Sequence, residues 1–225
     1  ASVAVNTLPD DRMDVYASEV VARITAAGGS AIKVPADISV PADVEAMVAA
    51  ARDAFGDVDT LVANAAQSQR APWTEITIEQ WDRTMAVNLR GTFLCAQAVH
   101  PGMLRRGGGS IITLTSVTVE LGMAGLLGYV SSKAGIIGLT RALAREVGKD
   151  CIRVNAVMPG AIRTEQEIEL NFDDVELAKL TEERQSLPRR GYAEDLTGTF
   201  VYLASADSAF VTGQVITVDG GWIHN

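Results

Sequence analysis

The sequence predicts a doubly wound α/β fold in a single domain, with a parallel sheet that is covered by helices on both faces. Short runs rich in β-branched residues alternate with helical segments along the whole chain. These runs are continuously apolar, which is typical of parallel strands buried on both faces. With 225 residues, of which 48% are hydrophobic, the chain is long enough to bury one core.

The first half of the chain contains three predicted strands. "SVAV" is a short buried strand, and residues 12–27 form a helix that stops at Gly28-Gly29. The second strand, "AIKVPADI", leads into a helix over 42–55, with Pro41 in its first turn and Gly56 at its end. "VDTLVANAA" is a third strand that runs into a loop.

The second half begins with a long helix that Thr77 caps and that extends to about residue 105. The strand "SIITLTS" follows, then a helix from Tyr129 to about residue 148, and then the strand "CIRVNAVMPG". Residues 165–185 and 193–204 are two further helices, and "QVITVDGG" is the last strand. This alternation of strand and helix is the pattern of a doubly wound sheet.

Composition and charge exclude several classes of function. The net charge is −9, from 19 basic and 28 acidic residues, and such a surface repels nucleic-acid phosphates. No apolar run reaches the length of about 18 residues that a membrane span needs, and the first residues lack the features of a signal peptide. We expect a cytoplasmic, metal-independent protein in which Cys95 and Cys151 are buried, reduced thiols.

Polar residues stand at the carboxyl ends of the predicted strands, where ligands of doubly wound sheets bind. Asn64, Ser116 and the Pro159-Gly160 turn follow three of these strands. Tyr129 and Lys133 are four positions apart and therefore share one face of a helix. A single loop connects Ser116 to this helix, so a hydroxyl, a phenol and an ammonium group can converge on one crevice.

The chain resembles the short-chain dehydrogenase/reductase family along essentially its whole length. Tyr-x-x-x-Lys alone is a weak signal, whereas the full set of motifs in this order is specific. The set comprises Ser116 with Tyr129-x-x-x-Lys133, Asn88 in "AVNLRGTF", Asp37 in "ADIS", the "ANAA" turn, "VMPGAIRT" and "ITVDGG". The resemblance implies a Rossmann-type sheet and an NAD(P)-dependent oxidoreductase that interconverts a ketone and a secondary alcohol.

The resemblance implies catalytic roles for Asn88, Ser116, Tyr129 and Lys133. Tyr129 is the general acid/base; its ordinary pKa of about 10 is too high near neutrality, and Lys133 is expected to lower that pKa by about two units. Ser116 holds and polarises the reacting oxygen. Asn88 anchors a water that links Lys133 to solvent; the alternative is a helix-interior amide that satisfies a nearby backbone group.

The resemblance also implies contacts with the adenosine half of the cofactor. Asp37, with Ile38 beside it, accepts a hydrogen bond from the adenine amino group; the alternative for Asp37 is an ordinary turn cap. Asn64 and Ala65 lie under the adenosine ribose. Asn6 stands where NAD enzymes usually carry an acidic residue, so the cofactor is NADP or NAD with a slight preference for NADP.

The nicotinamide half is expected to contact a second group of residues. Thr164 serves in this role, as a helix N-cap, or as both. The group comprises Tyr129, Lys133, Pro159, Gly160, Ile162 and Thr164.

The family opens with a strand, a glycine-rich turn and a helix, and this sequence shows none of the three. The turn brings backbone amides and a helix N-terminus to the cofactor pyrophosphate. We therefore expect the domain of residues 1–225 to continue before residue 1, with one more strand in the middle of the sheet. The alternative is a truncated, catalytically silent binding or regulatory protein on the same scaffold.

The expected substrate is a small, largely apolar ketone or alcohol. Val117, Leu121, Met123 and Leu126 between the catalytic serine and tyrosine would line an apolar pocket, and residues 161–190 resemble the substrate flap of the family. The alternative is a 3-oxoacyl-[acyl-carrier-protein] reductase. Its acidic carrier would need basic residues, which the Arg105-Arg106 pair provides only in part.

A homodimer or homotetramer is the expected assembly. Gly135 and Gly138 lie inside the Tyr129 helix, where each glycine costs about 1 kcal/mol relative to alanine. Close approach of a partner backbone would explain why they are tolerated. The resemblance implies that this helix and the helix over 77–105 form the interface between subunits.

Overall fold

The computed structural model describes residues 1–164 and 174–224. Strands and helices alternate along these residues in the predicted order. The strands are β1 (Ser2–Thr7), β2 (Ser30–Pro35), β3 (Thr60–Ala63), β4 (Gly109–Leu114), β5 (Ile152–Pro159) and β6 (Val215–Val218). The α-helices are α1 (Asp11–Ala26), α2 (Pro41–Phe55), α3 (Ile78–Met85), α4 (Thr92–Arg106), α5 (Thr118–Leu121), α6 (Leu127–Val147), α7 (Asp174–Arg184) and α8 (Ala193–Ala204).

All of the strand pairs in the described residues are parallel. β1 pairs with β2, and β3, β4, β5 and β6 pair in that order. Within residues 1–164 and 174–224, no ladder of hydrogen bonds joins β1 to β3. The additional strand that the sequence analysis expects in the middle of the sheet stays a prediction.

Helices cover both faces of the sheet, because successive side chains of a strand point to opposite faces. Ile111 and Val154 pack under α4 and α6 with Met103 and Val147. Ile112 packs on the other face with Val157, and Leu203 of α8 covers that pair. The predicted doubly wound arrangement is confirmed, and it fixes the carboxyl ends of β3, β4, β5 and β6 at one edge.

A π-helical turn interrupts the helix that was predicted over 77–105. Thr77 caps α3, as predicted, by accepting a hydrogen bond from the Gln80 amide. Residues Ala86–Gly91 form the π turn, and α4 follows directly. Such turns are frequent at functional sites, and this one turns the buried Asn88 inward.

Two details differ from the expectations drawn from the sequence, the end of β2 and the exposure of Cys151. β2 ends at Pro35, so Asp37 and Ile38 lie in the following loop and not at the strand end. Cys95 is buried, which raises the pKa of its thiol to about 11; Cys151 is exposed, because a left-handed turn with φ of 56° places it at the surface before β5. Gly135 packs against Leu89 of the same chain, and the predicted approach of a partner backbone stays a prediction. Part of the predicted helix over 165–185, residues 165–173, lies outside the described residues.

The contact between Gly91 and Ile38 yields a stability prediction. A Cβ atom at Gly91 would lie 2.8 Å from Ile38 Cδ1 and 3.1 Å from the Ile38 carbonyl oxygen. Because this packing cannot relax without moving the backbone, Gly91→Ala should lower the free energy of unfolding by about 1–3 kcal/mol. Urea denaturation measures the change.

Gly198 in α8 provides the matched control. It is exposed, and a Cβ atom there would have no neighbour within 4 Å. Gly198→Ala should therefore stabilise the protein, by up to about 1 kcal/mol, through helix propensity alone. Equal effects of the two substitutions would contradict the packing argument.

Candidate active site

Ser116 and Tyr129 meet at the carboxyl end of β4. Ser116 lies two residues after the end of β4, and Tyr129 lies in the first turn of α6. Burial raises the pKa of Tyr129 above its ordinary value, and a hydrogen bond with Ser116 opposes this shift. The net shift is opposite in direction to the lowering expected from Lys133, because the desolvation of the phenol outweighs the hydrogen bond with Ser116.

The hydrogen bonds of Ser116 make its hydroxyl a donor. Its Oγ accepts from the Thr118 amide at 3.2 Å and from the Thr118 hydroxyl at 3.0 Å. A serine hydroxyl has one proton to donate and two positions at which to accept. Since Thr118 fills both acceptor positions, Ser116 directs its proton toward Tyr129 or toward an oxygen bound beside it.

Lys133 is buried one helical turn after Tyr129. Its side chain is 4% exposed, and its ammonium nitrogen lies 5.6 Å from the centre of the Tyr129 ring. The ammonium donates to the Leu114 carbonyl at 2.8 Å, and the Thr115 hydroxyl donates to the Lys133 carbonyl at 2.9 Å. Burial lowers the pKa of Lys133 to about 8.

Asn88 connects three parts of the site from within the π turn. Its side-chain amide accepts from the Gln67 amide at 2.8 Å and donates to the Gln67 carbonyl at 2.9 Å. It also donates to the Ser132 hydroxyl at 3.0 Å, and that hydroxyl donates to the Tyr129 carbonyl. These contacts match the alternative considered for Asn88, an amide that satisfies nearby backbone groups. The water-anchoring role stays a prediction.

Asp37 lies in an ion pair with Arg83 of α3. The carboxylate accepts from the Arg83 guanidinium at 2.9 Å and from the Ser39 amide and hydroxyl at 2.9 and 2.7 Å. Burial alone would raise the pKa of Asp37, but the bonds from Ser39 and Arg83 lower it below its ordinary value. The turn-cap alternative for Asp37 is therefore observed, together with a cation that the sequence analysis did not consider.

Asn6 is a neutral residue that joins the ends of β1 and β2. Its amide nitrogen donates to the carbonyls of Val34 at 3.1 Å and Ala36 at 3.2 Å. Ile38 turns its side chain into the core beside Val44 and Val87, so only its backbone is available to a ligand. Asn64 and Ala65 lie on the exposed loop after β3.

The segment after β5 is held by two neighbouring turns. The Gly160 amide donates to the Val218 carbonyl at 3.0 Å, and a Cβ atom at Gly160 would lie 2.6 Å from the Asp219 Cα. The Pro159 carbonyl accepts from the Val117 amide, which ties this segment to the Ser116 loop. Ile162 forms a bridge with Gly191. Thr164, the last described residue before 174, is exposed.

The four residues predicted to line an apolar pocket separate into two pairs. Val117 and Leu126 are buried in the core, whereas Leu121 is exposed and Met123 half-buried. Only the second pair therefore offers apolar surface to a ligand. The loop after β3 lies against this segment, because the Ala71 amide donates to the Gly125 carbonyl and the Arg70 guanidinium approaches the Met123 sulfur.

Within residues 1–164 and 174–224, no group of three or more His, Cys, Asp or Glu side chains could hold a metal ion. Over the same residues, no helix has the length and apolar character needed to cross a membrane.

Comparison with known proteins identifies the family. Residues 1–223 match the family model described as Enoyl-(Acyl carrier protein) reductase. The chain belongs to the short-chain dehydrogenase/reductase family. It is 40% identical over 221 residues to the (2S)-[(R)-hydroxy(phenyl)methyl]succinyl-CoA dehydrogenase subunit BbsD of Thauera aromatica, covering 98% of this chain and 86% of that one.

Other relatives in this oxidoreductase family are named for different substrates. L-rhamnose 1-dehydrogenase (NAD(P)(+)) of Sphingomonas sp. is 38% identical over 229 residues, covering 100% of this chain and 87% of the relative. A 3-oxoacyl-[acyl-carrier-protein] reductase of Synechocystis sp. is 36% identical over 210 residues, covering 92% and 82%. The relatives therefore agree on the family, but their names do not agree on one substrate.

Solved structures of the family have the same fold. A gluconate 5-dehydrogenase from Burkholderia cenocepacia, in complex with NADP and tartrate, superimposes with a TM-score of 0.89 at 33% identity, over 99% of this chain and 85% of that chain. A blue fluorescent protein from a metagenomic library, in complex with NADPH, gives a TM-score of 0.90 at 34% identity, over 100% and 88%.

Several residues of this dehydrogenase/reductase site were missed by the sequence analysis. Thr118 orients Ser116, Thr115 fixes Lys133, and Arg83 pairs with Asp37. A local signal existed for the threonines, because each is within two residues of Ser116. No such local signal existed for Arg83, because α2 and β3 lie between it and Asp37 in the sequence.

The buried ammonium of Lys133 predicts a dependence of stability on pH. Below pH 8 the folded and unfolded states both carry the charge, and its burial costs the folded state about 3 kcal/mol, from a pKa of about 8 against 10.5. Above pH 8 the folded state loses the proton first, so this cost falls as the pH rises. Between pH 8 and pH 10, wild type should gain about 2 kcal/mol in unfolding free energy relative to Lys133→Met.

Exposed Lys149 offers the control, because its charge stays in water. Lys149→Met should keep the wild-type dependence on pH. Urea unfolding of the three proteins at matched pH values measures both effects. A constant difference between wild type and Lys133→Met across this range would contradict the prediction.

Proposed function

We propose that this member of the family is an NAD(P)-dependent dehydrogenase/reductase that interconverts a ketone and a secondary alcohol, with Tyr129 as general acid/base. The observation that carries the proposal is the convergence of the Ser116 hydroxyl and the Tyr129 phenol at the end of β4, with the buried Lys133 ammonium 5.6 Å from the Tyr129 ring. In reduction, Tyr129 gives its phenolic proton to the carbonyl oxygen; in oxidation it takes that proton back from the alcohol.

Ser116 and Lys133 support this proton transfer in the proposed mechanism. Ser116 donates its hydroxyl proton in a hydrogen bond to the same substrate oxygen, because Thr118 occupies both of its acceptor positions. Lys133, at 5.6 Å from the ring, attracts a phenolate with about 3 kcal/mol at an effective dielectric of about 20. The nicotinamide cofactor supplies or accepts the hydride.

The residues at the strand ends fit a nicotinamide dinucleotide. Asp37 remains ionised in its ion pair and can accept from an amino group. Gly160 packs against Asp219, and with Pro159 it stays a predicted cofactor contact. Asn6 presents no negative charge at the end of β1, which supports NADP slightly over NAD because a 2′-phosphate meets no repulsion. Asn64, Ala65, Ile38, Ile162 and Thr164 stay predicted cofactor contacts.

A small free substrate is favoured over a carrier-bound one. Arg105 donates two hydrogen bonds to Asp57, at 2.9 and 2.6 Å, and Arg106 pairs with Asp59. The two adjacent arginines considered for binding an acidic carrier protein are thus already paired with carboxylates of the same chain. The exposed surfaces of Leu121 and Met123 support a partly apolar substrate.

A sugar or related polyol is the second candidate substrate. The loop after β3 lies against the Ser116–Tyr129 segment and carries Gln67, Ser68, Gln69 and Arg70. Polar side chains of this kind suit a ligand with several hydroxyl groups, and the rhamnose dehydrogenase relative is named for such a substrate. A panel of simple ketones and aldoses, assayed with both dinucleotides, separates the two candidates.

Replacement of Tyr129 by phenylalanine tests the proposed mechanism. Tyr129→Phe removes only the proton donor, so turnover should fall by about 10²–10⁴-fold while the affinity for NADPH stays within about twofold. The absorbance of the reduced nicotinamide reports turnover, and calorimetry reports binding. Tyr202→Phe, at an exposed tyrosine of α8, should leave both unchanged. Undiminished turnover of the Tyr129→Phe variant would refute the mechanism. If the wild-type protein binds the dinucleotide but shows no turnover, the result would favour a catalytically silent binding protein.

We also propose a homodimer or homotetramer that uses the predicted helices. Ile78 and Phe93, on α3 and α4, are 71% and 44% exposed, and Trp73 just before them is 72% exposed. Gly138 of α6 has no neighbour within 4 Å of a Cβ position, so it remains free for close packing with another subunit. The predicted cytoplasmic location also stays a prediction.

A charge on the proposed interface, the exposed apolar face of α3 and α4 that carries Ile78 and Phe93, should separate the subunits. Phe93→Glu places a carboxylate in the proposed interface, where burying it would be costly, so sedimentation at micromolar concentration should shift from oligomer to monomer. Val20→Glu, at an exposed apolar position of α1 outside the face, should keep the wild-type sedimentation. A wild-type protein that sediments only as a monomer would contradict the proposal.

A further inference from the structure

The loop after β2 is tied to the helix that carries Asn88 by two arginines. Arg83 of α3 donates to Asp37 at 2.9 Å and to the Ser39 hydroxyl at 2.7 Å. Arg90 of the π turn donates to the Ser39 carbonyl at 3.2 Å. These contacts span more than 40 positions of sequence, so they are a tertiary feature of the fold and not a local turn.

The hydrogen bonds of Asp37 can be counted by oxygen atom. An ionised carboxylate has about four acceptor positions, two on each oxygen. Ser39 fills both positions on Oδ1 through its amide and its hydroxyl. Arg83 fills one on Oδ2. Within the described residues, one acceptor position of Asp37 therefore remains, on a side chain that is 21% exposed.

We propose that Arg83 is a positioning residue for cofactor recognition, which with Ser39 fixes Asp37 so that it accepts from one N–H donor of the ligand, the adenine amino group. The inference rests on the proposed function, because it needs a dinucleotide at this edge of the sheet. It goes further than that function by proposing that the recognition of adenine depends on the contact between Arg83 and Asp37.

The shape of the guanidinium group is essential to this role. Arg83 reaches Ser39 through one terminal nitrogen and Asp37 through the other. A lysine could keep the positive charge but would place it at one point, and it could not hold both oxygens in the same geometry. Charge and geometry can therefore be separated by comparing Arg83→Lys with Arg83→Met.

The experiment compares adenine with hypoxanthine, which carries a carbonyl oxygen where adenine carries its amino group. Calorimetry measures the binding of NADPH, NADH and their hypoxanthine counterparts to the purified full-length protein. Wild type should bind the adenine forms about tenfold or more tightly, as expected for one hydrogen bond to a charged group. Arg83→Met should reduce this preference to about twofold or less, and Arg83→Lys should give an intermediate value.

Two controls separate recognition from folding. Arg105→Met breaks a similar exposed ion pair, with Asp57, which lies before β3 and away from the carboxyl ends of the strands. This variant should keep the wild-type preference for adenine. In an Asp37→Ala background, Arg83→Met should have no further effect on the preference, because the acceptor that Arg83 positions is already lost.

Each binding result either supports or overturns the proposed role of Arg83. Loss of the preference in Arg83→Met with retention in Arg105→Met supports the inference. Equal weakening of the adenine and hypoxanthine forms by Arg83→Met would indicate a structural role and overturn it, as would an unchanged preference. Wild type that binds both forms equally well also overturns the inference while leaving the proposed function intact. Wild type that binds no dinucleotide overturns the proposed function itself.

Discussion

The burial of the Lys133 ammonium is the constraint on which the arrangement of the site depends. A cation that is 4% exposed must replace its lost water contacts. The Leu114 carbonyl provides one hydrogen bond, and the Thr115 hydroxyl binds the lysine backbone. These bonds fasten α6 to the end of β4, and they bring Tyr129 to Ser116 at the point where the strand stops. The helix cannot shift along the sheet without leaving the charge unsatisfied.

The π turn and the residues beside it hold the loops that follow β2 and β3, as Lys133 holds α6 against the end of β4. Asn88 binds both the backbone N–H and the backbone carbonyl of Gln67, and it also binds Ser132 of α6, so the loop after β3 keeps a fixed distance from α6. Arg83 and Arg90, on either side of Asn88, hold the loop after β2. One helical segment thus connects the loops after β2 and β3 to the tyrosine helix. This explains why Gly91 packs so closely on Ile38, since the segment must lie directly on the loop that it holds.

Most of the fold could be predicted from the sequence, because continuous β-branched runs and helix caps are local signals. The Thr77 capping box, Pro41 in the first turn of α2 and Gly56 at its end all follow from short motifs. The tyrosine, lysine and serine could be predicted because a known family pattern fixes their spacing. The π turn, the Arg83–Asp37 pair and the direction of the Tyr129 pKa could not, because each depends on tertiary packing. The exposed Cys151 is a similar case, since its left-handed backbone results from the turn into β5 and not from composition.

The pKa shifts of Tyr129 and Lys133 are best understood together. Burial raises one pKa and lowers the other, and in both cases it favours the neutral form. The same exclusion of water strengthens the attraction between a phenolate and an ammonium at short distance. Because the Lys133 ammonium lies 5.6 Å from the Tyr129 ring, it would stabilise a phenolate formed there. In the proposed mechanism, burial keeps the tyrosine protonated until a substrate oxygen can take the proton, while the lysine charge limits the cost of the phenolate that remains.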